Sequence, residues 1–433
     1  MDPDTKKSKK LLGEKTKFLA NINSENLLKN IWQVSLNSII VALITLVFHF
    51  ILSRRLGPAQ YGELETLLTI NMTILIMLSA VCFIVTRFIS YYRTRSQYDK
   101  MKFLANWAFI FFFIIGMAAF IINLIFSNIF ASFLNIEDHT ILIVFGFLVW
   151  ISFLMPIIEG ILRGLQEFDS VGKYKILDAA LRLIIASTLV MLGFFNKQII
   201  IGLVAGGIIT VLFSAYILKR VYINKPYKIE MKEIYRFAIP VFLACITYAL
   251  LSNVDLVLVK HFFTAEQTGY YAAAQMFAKI ILTIAFGSAG VMFPKLIEEH
   301  SNGNKKEIKK ILKNTLEIFL VGGIILTAII AIWPHQISHA FFGKQYDVGS
   351  MLSIYVIATF FLSVSVILMM YDLALKRYKF IPVFILAVII MIYQIIQLHN
   401  TLYDIVWTLF VIDGLVLAFM LIYNRKAVFS QFI

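Results

Sequence analysis

Apolar blocks follow one another along this chain almost without pause, and each is about as long as the twenty helical residues needed to cross roughly 30 Å of hydrocarbon. They fall near 31–53, 64–90, 103–127, 141–160, 175–195, 198–218, 234–260, 270–293, 315–333, 351–371, 380–397 and 403–423. The fifth and sixth are divided only by Asn196-Lys197-Gln198. The runs are continuous rather than alternating, which specifies helices that satisfy their own backbone groups and excludes barrel strands. Charged residues make up 15% of the 433 positions, against about 25% in a soluble domain. The predicted fold class is therefore all-α integral membrane, with about 12 transmembrane helices.

Lysine and arginine test this division independently, because cytoplasmic loops are enriched in them. With the spans placed as above, 31 of the 39 basic residues fall on one side, which includes both termini, and five on the other: Arg54, Arg55, Lys197, Lys260 and Lys344. A missed span would swap every later loop and erase the asymmetry. Both termini are thus expected in the cytoplasm, in a multi-pass protein of the cytoplasmic membrane. The net charge of +14 sets orientation and does not indicate nucleic acid. The lysines of residues 6–17 suit a solvated segment beside anionic membrane lipid. The reading divides the chain into a basic N-terminal segment (1–30), an N-lobe of six spans (31–218), a cytoplasmic linker (219–233), a C-lobe of six spans (234–423) and a tail (424–433). Residues 1–30 lack the apolar run of a cleaved signal. The longest connection, near 294–314, is too short for a domain of its own, so function is expected among the helices.

An internal repeat supports the two-lobe division. Arg55-Leu-Gly-Pro-Ala-Gln-Tyr-Gly62-Glu-Leu and Phe262-Phe-Thr-Ala-Glu-Gln-Thr-Gly269-Tyr-Tyr align without gaps and share Gln60/Gln267 and Gly62/Gly269. Both copies follow the first helix of a six-span half. Two halves in one orientation are parallel repeats related by an axis along the membrane normal, which places a cavity between them.

From Arg54, or without the spacer residue from Arg55, the stretch through Leu56-Gly57-Pro58 to Tyr61-Gly62 resembles the R-x-L-G-P-x-x-Y/F-G pattern of the polysaccharide transporter family, within the multidrug/oligosaccharidyl-lipid/polysaccharide exporter superfamily. Asn253-Val-Asp255-Leu-Val-Leu and Ala265-Glu-Gln-Thr-Gly269-Tyr-Tyr-Ala-Ala-Ala are similar to a second run of the same transporters. The resemblance implies a Wzx-type oligosaccharide flippase: two pseudo-symmetric, MATE-like lobes, alternating access, and translocation of a polyprenyl-pyrophosphate-linked repeat unit for O-antigen, capsule or similar glycans. It also implies glycan polymerase or assembly proteins as partners. Lipid II flippases and ion-coupled drug exporters share that fold.

An ionised side chain at mid-membrane costs at least about 2.5–3.5 kcal/mol, so it faces a wet cavity or a partner. Three basic residues lie inside spans: Arg87, Arg182 and Lys279. Lys279, midway along the eighth span, is expected to balance a dehydrated pyrophosphate; the structural alternative is an ion pair with Asp413, midway along the last. Arg87, in the cytoplasmic third of the second span, either touches substrate or reaches the headgroups. Asp178 and Arg182 are four residues apart on one helical face and suit a mutually neutralising pair. Asp255, beside Asn253, is positioned to take H+ or Na+, or to brace the outer gate through Lys260 or a neighbouring helix. Arg54 and Arg55 stand at the outer mouth, where they either receive phosphate or anchor a helix end.

The substrate-binding candidates are therefore Lys279, Arg87, Arg182 and Arg55, and the ion-coupling or gate candidates Asp255, Asp413 and Asp178. His49 reads as a packed histidine, Pro156 and Pro240 as kinks or hinges, and Cys82 and Cys245 as buried inert thiols. No P-loop, metal-ligand spacing or nucleophile motif is present, and neither cofactor nor catalysis is expected. The alternatives are an ion-coupled small-molecule exporter of the same fold, which favours carboxylates in its cavity, and a glycan polymerase or ligase, which needs a longer outer loop.

Overall fold

A computed structural model of the chain describes residues 3–218, 231–346 and 348–428, except for the side chains of 3–35, 94, 217–218, 231–233, 301 and 426. The expected linker at 219–233 and tail at 424–433 fall largely or partly outside the described residues, as do the side chains of the basic N-terminal segment.

Among the described residues fourteen helices run in chain order: α1 (Pro3–Thr94), α2 (Tyr98–Phe133), α3 (Thr140–Ser152), α4 (Met155–Gly164), α5 (Phe168–Met191), α6 (Asn196–Leu218), α7 (Met231–Phe262), α8 (Ala265–Ser301), α9 (Lys305–Ile332), α10 (Pro334–Phe342), α11 (Gly349–Ala374), α12 (Ile381–Gln397), α13 (Leu402–Tyr423) and α14 (Arg425–Val428). Nine stretches among the described residues are long and apolar enough to cross a membrane, the first of them, Leu36–Arg93, holding two expected spans. The charge-bearing α5 and the shorter α12 supply the remaining two, so each of the twelve spans finds its helix. The expected plan of two six-helix halves follows.

The turn expected between the first two spans is instead a kink at one residue. Gly57 has φ 74° and ψ 171°, and Pro58 follows it inside α1. Glycine tolerates the positive φ, and proline's fixed φ suits the first turn of the second arm. The arms fold back on each other, since His49 and Glu65, equidistant from Gly57 in sequence, approach to 3.3 Å. The fourth span is broken where Pro156 predicts, with α3 ending at Ser152 and α4 starting at Met155 with proline in its first turn. Pro240, by contrast, lies inside an unbroken α7. A capping box begins α8, where the Thr264 hydroxyl accepts from the Gln267 amide.

In the first half α1 packs on α2, α4 and α5, while α3 packs on α2 and α6. In the second half α11 lies against α8, α9 and α13, and α12 against α7 and α13. α1 also packs along α7 and α8 and touches α10, which makes it the main bridge between the halves. The largest apolar core runs through both halves, and a smaller one lies inside the first half around Val85, Ile89 and Ile158. Exposed Ile114, Ile125 and Ile129 on α2, like Ile318 and Val321 on α9, give the bundle an apolar outer surface, as expected where lipid is the solvent.

At the Gly57 end the halves are sealed together. Gly62 and Gly269 lie against each other there. Arg54 donates from Nε to the Phe341 carbonyl (3.0 Å) and from its terminal nitrogen to the Ala340 carbonyl (2.6 Å), capping α10. The Tyr346 hydroxyl donates to the Ser53 carbonyl (3.0 Å). Asn135 donates to the His261 carbonyl (2.8 Å), and the His261 ring stacks on Phe133 at 4.2 Å. Lys260 is almost fully buried in this seal, its Nζ 3.5 Å from the Asn135 carbonyl.

Candidate functional site

Beneath the seal two helical faces meet. On α1, residues 61, 65 and 69 share one face, and on α8 residues 271, 275 and 279 share another, because side chains four apart stack along a helix. These faces carry Tyr61, Glu65 and Thr69 against Tyr271, Gln275 and Lys279. Lys279 Nζ donates to Thr69 Oγ1 at 3.0 Å, Thr69 Oγ1 donates to Gln275 Oε1 at 3.4 Å, and Gln275 Nε2 donates to Asp255 Oδ1 at 3.2 Å. A relay with one consistent polarity thus runs from the lysine, across to the first half and back, to a carboxylate. Tyr271 (2.8 Å) and Tyr355 (2.5 Å) both donate to Asp255 Oδ2.

Asp255, Asp413, Lys279, Gln275, Tyr355 and Ser252 line one cavity walled by α7, α8, α11 and α13, so it lies within the second half and not between the halves as the repeat predicts. Asp413 Oδ1 is buried without a hydrogen-bond partner. On the other side of Lys279, Glu65 faces His49, whose Nδ1 also lies 3.2 Å from the Tyr61 hydroxyl. Glu65 is 5% exposed, and its Oε2 is the atom that faces His49 Nδ1, at 3.3 Å but outside hydrogen-bond geometry. Glu65 and Asp255 are the carboxylates whose charge acts on Lys279, yet among the described residues no carboxylate forms an ion pair with it within 4.0 Å. The site therefore holds three acids, Glu65, Asp255 and Asp413, around one lysine and one histidine. Burial in a low-dielectric interior strengthens every one of these interactions.

The structure brings Lys279, Asp255 and Asp413 together and leaves the other candidates apart. The Arg182–Asp178 pair closes on itself, with Nε to Oδ2 at 2.9 Å. Arg87 is exposed and lies over the Phe237 ring of α7 at 4.1 Å, so it bridges the halves away from the cavity. Arg55 is exposed near the seal, where its neighbour Arg54 is committed to α10. Asp255 is braced by Tyr271, Tyr355 and Gln275, while Lys260 serves Asn135. Cys82 and Cys245 are buried free thiols.

Sequence reasoning passes over Glu65, Thr69, Gln275, Tyr271 and Tyr355, and reads His49 as an isolated packed residue. The available signal was the spacing of polar residues every four positions on α1 and α8, at the end of each helix nearest the matched Gly62 and Gly269.

Comparison with solved structures shows the same architecture. The inward-facing form of a multidrug resistance MATE family transporter of the MOP superfamily superposes with a TM-score of 0.75 at 14% identity, covering 89% of this chain and 94% of that one. The lipid II flippase MurJ, in an inward closed conformation, gives 0.71 at 14% identity over 90% of this chain and 87% of its own. A MOP superfamily transporter from Pyrococcus furiosus gives 0.70 at 15% identity, covering 92% and 95%. These likenesses establish the fold. No curated protein is matched in sequence. The family model described as polysaccharide biosynthesis protein matches residues 27–300. With that match spanning more than half of its length, on a MATE-type fold, the chain belongs to the polysaccharide biosynthesis protein family.

Proposed function

We propose that this protein is a flippase that moves a polyprenyl-pyrophosphate-linked oligosaccharide across the cytoplasmic membrane by alternating access between lobes 31–218 and 234–423. The observation that carries the reading is Lys279, a partly buried cation on the second half whose hydrogen-bond acceptor, Thr69, belongs to the first. An ammonium placed where the halves meet serves an anionic headgroup in any packing of those halves, because lysine binds phosphate as a point charge without fixed geometry. In this reading both termini are cytoplasmic, the Gly57 end faces outward, and the headgroup enters from the lysine-rich side past Arg87. The lipid tail stays in the bilayer and no covalent chemistry is involved. Arg55 at the outer mouth receives the departing phosphate, whereas Arg182 and Asp178 neutralise each other. The family match and the fold shared with a lipid II flippase support a lipid-linked cargo. Asp255 and Asp413 take up H+ or Na+ and couple the cycle to an ion gradient. Glycan polymerase or assembly proteins receive the product.

One observation favours a second reading: the cavity is lined by two carboxylates and a single lysine, as suits an ion-coupled exporter of small organic cations. The deciding experiment reconstitutes the full chain in proteoliposomes and follows a fluorescent polyprenyl-pyrophosphate-linked oligosaccharide, and separately ethidium. Protein-dependent movement of the glycolipid is expected. Movement of ethidium alone would overturn the flippase reading.

A further inference from the structure

Glu65 stands on the opposite half from Lys279, and its position carries a consequence for how the cycle is driven. It sits on α1 one helical turn from Thr69, which holds the lysine, and one turn from Gly62, which makes the seal. Its carboxylate is buried, with Oε2 3.3 Å from His49 Nδ1, and the other charged or titratable groups near it are Tyr61 on α1 and Lys279 on α8. Lys279 therefore has two sources of negative charge: Asp255, which belongs to its own half, and Glu65, which belongs to the other.

We infer that Glu65 is an electrostatic interlock, a stand-in for the cargo's phosphate at Lys279 that holds the outer face shut while the cavity is empty. This rests on the reading of Lys279 as the phosphate site. When a pyrophosphate binds Lys279 from the cytoplasmic side, it becomes a like charge buried near Glu65. Like charges at short range in a low dielectric repel strongly, and the repulsion is relieved when α1 swings away from α8. Anion binding thus weakens the outer seal. After release, the bare lysine attracts Glu65 again and the face closes. An anion still bound opposes that closure, which gives export its direction. A ligand shifts an equilibrium only by its difference in affinity for the two states, and Glu65 supplies that difference.

The test places cysteines at Asn135 and His261, on either side of the seal, in a Cys82→Ser/Cys245→Ser background of the full chain in nanodiscs. Closure is read as the rate of cross-linking by a short bifunctional thiol reagent, with and without undecaprenyl pyrophosphate. The probe should slow cross-linking by about 5- to 150-fold, the usual span of allosteric coupling. Glu65→Gln keeps the shape of the side chain and should cross-link equally fast with and without the probe, while still binding it. If the wild type responds and Glu65→Gln responds equally, the interlock is overturned while the phosphate site stands. If the wild type does not respond at all, or Lys279→Ala responds like the wild type, the phosphate site itself fails and the interlock with it.

Discussion

Gly62 and Gly269 face each other across the two halves so closely that a Cβ on Gly62 would lie 2.5 Å from the backbone nitrogen of Gly269, and one on Gly269 would run into the carbonyl of Pro58. They are also the glycines matched by the internal repeat. Equivalent positions of two halves meet only at the axis that relates them, so the contact marks where the pseudo-two-fold passes at the Gly57 end.

Gly62→Ala and Gly269→Ala should each oppose the sealed state, because the Cβ meets backbone and not a side chain that can yield. Overpacking costs about 1–3 kcal/mol. Cross-linking between cysteines at 135 and 261 is expected to slow, and glycolipid flipping to fall in parallel, with the protein still monodisperse on size exclusion.

Lys279→Ala should abolish flipping in proteoliposomes while folded protein remains in the membrane, and Lys279→Arg should retain part of the rate. Unchanged flipping by the alanine variant removes Lys279 from the mechanism.

Asp255→Asn removes the charge and turns one of the two acceptor oxygens into an NH2 donor, so Tyr271, Tyr355 and Gln275 can no longer all donate to it. Hydrogen bonds to a charged group contribute about 1.5–3 kcal/mol each when made, and much of that is lost when one partner is removed. The midpoint of thermal unfolding in detergent should fall by several degrees. If Asp255 also couples the cycle to ions, residual flipping should no longer respond to an imposed H+ or Na+ gradient.

Arg182→Ala leaves Asp178 half-buried without its partner, whereas Arg182→Ala with Asp178→Asn removes both charges. Removing one member of a buried pair costs about 3–5 kcal/mol, and replacing both is tolerated; partial exposure here lowers the first figure. Thermal stability should drop in the single variant and recover in the double, with flipping little changed in the double. A transport defect in the double variant would instead return Arg182 to the cavity.

The bundle was legible because hydropathy over about twenty residues and the sidedness of lysines both reflect the bilayer. Lys279, Asp255 and Asp413 were legible for the same reason: each is a charge in oil. Their arrangement was not. Lys279 bonds to Thr69, 210 positions away, and nothing in a run of apolar residues states which neighbouring helix will offer a hydroxyl. Glu65 was missed because it stands at the start of a span, where a carboxylate ordinarily reaches water; only the reversal at Gly57 turns it inward toward His49. Arg87 and Arg182 satisfied the same criterion as Lys279 and found a ring and an adjacent acid instead. A charge inside a span shows that a partner exists without saying whether it is a ligand.

The reversal at Gly57 has a mechanical corollary. With no loop between its arms, α1 has no slack, so the hairpin behaves as one stiff lever whose Gly57 end bears the glycine contact and whose second arm passes Thr69 and reaches Arg87. A small tilt at the fulcrum is therefore felt at the lysine and at Arg87 together. An inserted Gly-Ser segment at residue 57 would uncouple the two ends, whereas the same segment at 302–304, between α8 and α9, would leave the lever intact.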